Sequence, residues 1–130
     1  MARILVVDDS LYQRVKIRKF LEAAGYAVVE AEDGGQGLDL AEKTRPDCIL
    51  LDLLMPKVSG LETLRELHNR RLAIPVIVHT SDIQEQTRQE CLALGAAAFL
   101  NKPSREEDVL GALRLALPAR GKESENALIA

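Results

Sequence analysis

The chain has 130 residues, 47% hydrophobic and 28% charged, with a formal net charge of −3, which fits one globular domain able to bury its own core. That charge leaves no basic footprint for nucleic acid or an anionic membrane surface, and no apolar run approaches the ~20 residues that span a bilayer, so neither direct nucleic-acid binding nor membrane insertion is expected. Cys48 and Cys91 lie outside any CxxC or Cys/His cluster; they read as core filler in a reducing, cytoplasmic compartment.

The first element, "RILVVDDS", is an apolar run from Ile4 to Val7 that ends on two adjacent carboxylates, Asp8 and Asp9. Ser10 is placed to cap a helix whose buried face is Ile17, Phe20, Leu21 and Ala24, and Gly25 is placed to end it. A second strand follows at Ala27–Glu30. "DGGQGL", Asp33 to Leu38, lacks the GxGxxG spacing of a phosphate-cradling loop and follows the second strand, so it reads as a turn and helix start. Pro46 leads into a third strand, Cys48–Leu51, which stops at Asp52. Leu61, Leu64 and Leu67 share one face of the next helix. Pro75 leads into Val76–Val78, which runs to Thr80; Gly95 ends the fourth helix, and Ala97–Leu100 runs into Lys102 in "FLNKPS". After Leu117 the pattern stops. The reading is one domain over 1–117, with 118–130 a flexible tail or the start of a linker.

Five short apolar, β-branched runs alternating with helical segments predict a doubly wound α/β fold with a mainly parallel sheet. Ligands of such sheets bind at the carboxyl ends of the strands. Those ends carry Asp8, Asp9, Asp52, Thr80 and Lys102: three carboxylates, a hydroxyl and an ammonium. Each has an ordinary alternative, since Asp9 or Ser10 alone serves well as a helix cap, Lys102 as a solvated surface lysine and Thr80 as a strand former. Asp52 fits the ordinary reading worst, because "LLMP" follows it and no helix begins there. Two charges ~5 Å apart at an effective dielectric near 20 repel by roughly 3 kcal/mol, so three acids need a cation. Lys102 offsets one charge, and a small hard cation such as Mg²⁺ suits the rest. No histidine or cysteine joins the cluster, which disfavours zinc; His68 and His79 read as structural or surface residues. A metal-bound carboxylate beside a lysine and a hydroxyl is a phosphoryl-transfer site, with Asp52 as nucleophile.

The segments "ILVVDDS", "ILLDLLMPKVSG", "PVIVHTS" and "FLNKP", in this order and spacing, resemble the receiver domain of bacterial two-component response regulators, in the manner of the small chemotaxis regulators. The resemblance covers residues 3 to about 117. It implies a flavodoxin-like fold with strand order 2-1-3-4-5 and a Mg²⁺ site formed by Asp8, Asp9, Asp52 and the backbone carbonyl of Leu54. Asp52 would accept a phosphoryl group from a sensor histidine kinase or histidine phosphotransfer protein, and Thr80 and Lys102 would hold the phosphoryl oxygens. Thr80 and Phe99 would form a switch acting on the face made by helix four, strand five and helix five, read by a downstream effector or output domain. The resemblance further implies a cis Lys102–Pro103 bond and a monomer or phosphorylation-dependent dimer. Such a chain is a signalling switch that catalyses its own phosphorylation and dephosphorylation rather than a metabolic enzyme. Phe99 has no hydroxyl, so packing must gate the switch. Leu54 offers a carbonyl but no polar side chain to orient an attacking water, which predicts slow dephosphorylation. Two alternatives remain open. A Mg²⁺-dependent phosphatase would need a second acid where Leu54 stands, and a vestigial receiver acting as a constitutive interaction module would not need the intact set of acids, threonine and lysine.

Overall fold

The computed structural model describes residues 1–117; the expected tail or linker over 118–130 lies outside them. Five strands and five helices alternate along the chain: β1 (Arg3–Val7), α1 (Leu11–Ala23), β2 (Ala27–Ala31), α2 (Gly34–Thr44), β3 (Cys48–Leu51), α3 (Gly60–Asn69), β4 (Val76–Thr80), α4 (Glu85–Ala93), β5 (Ala98–Asn101) and α5 (Glu106–Ala116). All neighbouring strands are parallel, in the order β2-β1-β3-β4-β5. The predicted strands are all present, with ends shifted by a residue or two.

A parallel sheet is covered on both faces, so its strands are apolar throughout instead of alternating. Here Leu5, Val7, Ile49, Leu51, Val76 and Val78 pack with Leu38, Ala41, Leu64, Leu67 and Cys91 of α2, α3 and α4. On the opposite face Ile4, Val6, Cys48, Leu50 and Ile77 pack with Ile17, Leu21, Val109 and Leu113 of α1 and α5. Both cysteines are buried and reduced.

Local chemistry starts three of the helices. Ser10 Oγ accepts the Gln13 N–H at 3.2 Å, Asp33 Oδ1 the Gln36 N–H at 2.9 Å, and Ser59 Oγ the Glu62 N–H at 3.2 Å; each satisfies one donor of a first turn. Asp33 thus makes "DGGQGL" a capped helix start, as read. Gly25 and Gly95 take φ of +95° and +94° beyond α1 and α4, a conformation that suits glycine. One expectation fails in α1: Ala24 is the exposed C-cap, and the third buried position of the helix is Arg14. The buried face therefore begins a turn earlier than the apolar pattern shows, with a charged residue in it.

Candidate functional site

The carboxyl edge of the sheet brings the predicted acids together. Strand pairing carries β1 and β3 to the same height: Val7 pairs with Leu51, and the Asp52 N–H donates to Val7 O at 2.9 Å. Asp8 and Asp52 therefore leave adjacent strands side by side. One carboxylate oxygen from each of Asp8, Asp9 and Asp52 lies within 4.8 Å of the other two. Asp8 and Asp52 are buried, 3% and 6% exposed, whereas Asp9 faces solvent. Asp8 Oδ1 accepts the Ser10 N–H at 2.9 Å and Asp52 Oδ1 the Leu54 N–H at 3.2 Å, which fixes both carboxylates in rotation.

Lys102 stands just past β5 and sends Nζ to Asp8 Oδ2 at 2.8 Å and to Asp52 Oδ2 at 3.5 Å. One ammonium thus pairs with two of the three acids. Burial pushes the Asp52 carboxyl above its ordinary value and Asp8 adds to the rise, while Lys102 opposes it. With Asp9 exposed beside the buried pair, the cluster offers a set of oxygen donors that could hold a small hard cation. The Lys102–Pro103 bond is cis, as expected.

Thr80, the last residue of β4, is fully buried, and its Oγ1 accepts the Asp82 N–H at 3.2 Å. Its hydroxyl is thus engaged within its own loop, and its carbonyl accepts the Lys102 N–H at 2.8 Å. Phe99 on β5 is half-buried and packs against the α2/α3/α4 side of the core. Leu54 is 54% exposed at the rim, so its side chain contributes an apolar surface there. Of the two histidines, His68 is exposed on α3. His79 is buried on β4, its Nε2 2.7 Å from Ser104 Oγ. Burial first, then the Lys102 charge, hold its pKa down at about 4, so the ring is neutral at neutral pH.

Arg14 escaped the sequence reading. It is 8% exposed; its Nη1 donates to Asp8 O at 2.6 Å and its Nε to Glu30 Oε1 at 3.2 Å. Arg18 completes the cluster on Glu30. A cation on the peptide that carries Asp8 fixes where that carboxylate begins. The available signal was its spacing, since Arg14 lies three and seven residues before Ile17 and Leu21, on their face of the helix.

Five parallel strands in the order 2-1-3-4-5 with helices on both faces and acids at the carboxyl edge define the CheY-like, flavodoxin-type class of fold. The family model of the response regulator receiver domain matches residues 4–114. The chain belongs to that family, the phosphoacceptor domains of two-component signalling. It is 42% identical over 114 residues to protein CcdB of Bacillus subtilis, covering 87% of this chain and 95% of that protein. To protein PilH of Pseudomonas aeruginosa it is 40% identical over 119 residues, covering 90% and 98%. The structure of the Vibrio cholerae chemotaxis protein CheY4 matches with a TM-score of 0.84 at 34% identity, over 90% of this chain and 99% of that one.

Proposed function

We propose that residues 1–117 form a working receiver in which Asp52 is the phosphoacceptor. The observation that carries this reading is the buried Asp8–Asp52 pair under a single ammonium. Asp8, Asp9 and Asp52, with the Leu54 carbonyl, would hold Mg²⁺; an all-oxygen donor set with surplus negative charge suits that ion. When bound, the ion neutralises the acids and shares the charge of the transferring phosphoryl oxygens.

The chain's own residues do the rest. An Asp52 carboxylate oxygen forms the new bond to phosphorus as the donor's imidazole, or the carboxylate of a small acyl phosphate, leaves with the bonding pair. Lys102 moves from pairing carboxylates to holding a phosphoryl oxygen. Thr80 accepts the Asp82 N–H through a lone pair, which leaves its O–H free to donate to a phosphoryl oxygen, and a shift of Thr80 toward that group would move the β4–α4 loop. Phe99, half-buried beside it, would follow by repacking. The change would be read on the α4–β5–α5 face, where an open groove of about 610 Å³ includes Phe99, Asn101, Gly111 and Leu115, the last 82% exposed. The phosphodonor would be a histidine kinase or phosphotransfer protein, and the reader an effector protein or output domain. Action in the cytoplasm is proposed from the receiver family; among the described residues no helix is long and apolar enough to cross a membrane.

The test is intact mass after incubation with Mg²⁺ and a small acyl phosphate. The expected result is one Mg²⁺-dependent phosphoryl adduct, mapping to the peptide that contains Asp52. No adduct would favour an interaction module, and sustained release of phosphate over many turnovers would favour an enzyme. The exposed Leu54 side chain cannot hydrogen-bond a water near Asp52. Leu54→Asn is therefore expected to speed decay of the adduct about fivefold, the worth of one hydrogen bond of about 1 kcal/mol, as read by loss of the adduct with time.

A further inference from the structure

Lys102 must hold its ammonium against two carboxylates from a loop, not from a strand. The chain enters that loop well fixed. The Lys102 N–H donates to Thr80 O at 2.8 Å, and Asn101 Nδ2 donates to Thr80 O at 3.3 Å and Asp82 O at 2.8 Å. It leaves the loop with much less. Pro103 brings no N–H, and the Arg105 N–H turns to Asp108 Oδ2 at 3.2 Å, inside the first turn of α5. Among the described residues, the one hydrogen bond tying the segment between Lys102 and α5 back to the sheet is the 2.7 Å contact of His79 Nε2 with Ser104 Oγ.

His79 is suited to the task. It sits one residue before Thr80 and points to the opposite face of the sheet, so it is anchored at the end of β4 without entering the carboxylate cluster. The residue is 6% exposed, and its neutral ring has one donor and one acceptor nitrogen, either of which a serine hydroxyl matches. Packing alone would not hold the segment. His79, Lys102, Pro103 and Ser104 border a recess of about 320 Å³ between α1 and α5, into which an untethered loop has room to move.

We infer that the His79–Ser104 hydrogen bond is the positioning device for Lys102, holding the exit of its loop so that Nζ meets Asp8 and Asp52. This rests on the reading of Asp52 and Lys102 as the phosphoryl-transfer site. Lysine carries much rotamer freedom, and a misplacement of ~1 Å can cost on the order of a hundredfold in rate. Loss of one tether in a loop still held at its entry is expected to cost about tenfold.

The consequence has a direction that general loosening would not copy. The Lys102 ammonium sits on Oδ2 of both Asp8 and Asp52, so it competes for the carboxylates that would hold a divalent cation. Freeing it should tighten Mg²⁺ binding while slowing phosphorylation.

The test measures the phosphorylation rate with a small acyl phosphate at saturating Mg²⁺, by intact mass, and the affinity for Mg²⁺ alone, by calorimetry. Ser104→Ala, and His79→Phe as a second variant of similar bulk, are expected to react about tenfold more slowly yet bind Mg²⁺ more tightly than wild type. Ser104→Thr, which keeps the hydroxyl, is expected to regain both values. If wild type takes no phosphoryl group, the underlying reading falls and this inference with it. If wild type reacts and Ser104→Ala either matches it or loses rate and Mg²⁺ affinity together, this inference alone is overturned.

Discussion

Asp52→Asn is expected to take no phosphoryl group and, without Mg²⁺, to unfold at a higher temperature than wild type. Both effects follow from removing one charge at nearly constant shape. The amide oxygen can still accept the Leu54 N–H that Asp52 Oδ1 accepts at 3.2 Å, so the local turn is kept. An amide oxygen is too weak a nucleophile to form the acyl phosphate, so the adduct disappears. The stability sign comes from the raised Asp52 pKa, caused first by burial, with Asp8 adding and Lys102 opposing. An acid whose pKa is raised on folding binds its proton better folded than unfolded. Its favourable contribution is present at low pH and is lost as pH rises through the folded value. At neutral pH the ionised Asp52 is therefore a net cost, and asparagine removes it. Lys102 keeps its 2.8 Å partner on Asp8, so no unpaired ammonium is left behind. The gain should be about 1 kcal/mol, several degrees in Tm for a domain of this size. Mg²⁺ should raise the Tm of wild type more than that of the variant, because it meets one fewer carboxylate in the latter. Thermal unfolding at pH 7, in chelator and in Mg²⁺, measures all of this. A variant less stable than wild type in chelator would contradict the account of the cluster, and a retained adduct would remove Asp52 as the acceptor.

What was legible in the sequence was what depends on each strand separately. Cys48–Leu51 shows as a run because both its faces are buried, and Asp52 shows because it interrupts that run. The parallel order then brings strand ends to one edge, so Asp8, Asp9, Asp52 and Lys102 could be grouped without knowing a single side-chain direction. What was not legible depends on contacts between elements. The His79–Ser104 pair spans 25 residues, and it requires the β4–β5 register together with the path of the loop after Pro103. Neither leaves a periodic trace. Thr80 was correctly placed at the edge, but the bond of its hydroxyl to the Asp82 N–H is a matter of loop conformation. Helix α4 is a further case, since Cys91 is its sole buried residue, and so narrow a contact gives the sequence little amphipathic pattern. Gly60, which ends the segment "ILLDLLMPKVSG", is a related case. Nothing around it in sequence distinguishes a glycine at a helix start from one pressed against another backbone.

Gly60→Ala is expected to destabilise the protein by about 3 kcal/mol or more and to damage the acidic site with it. Gly60 opens α3, and its N–H donates to Leu53 O at 3.0 Å, which draws the helix start onto the chain just after Asp52. A methyl group there would lie 2.0 Å from Asp52 O, 2.5 Å from Leu53 Cα and 2.7 Å from Asp52 C. All three are backbone atoms, so no rotamer change relieves the overlap. Either α3 retreats, opening space beside Leu53, Leu64 and Leu67, which are buried in the same core, or the peptide after Asp52 turns. The first route loses packing and the second loses the placement of the Asp52 carboxylate and the Leu54 carbonyl; overpacking of this severity lies at the upper end of single-site effects. Gly111→Ala supplies the contrast. Gly111 lies within α5, where the added methyl would meet nothing nearer than Arg114 Nη2 at 3.9 Å. Alanine there should stabilise by up to about 1 kcal/mol through helix propensity alone. The same substitution at two helical glycines should thus move the urea midpoint in opposite directions. Gly60→Ala should also weaken Mg²⁺ binding in whatever fraction remains folded, which Gly111→Ala should leave unchanged. If both variants unfold at or above the wild-type midpoint, α3 does not press on the Asp52 peptide as described, and the site owes its geometry to β3 and Lys102 alone.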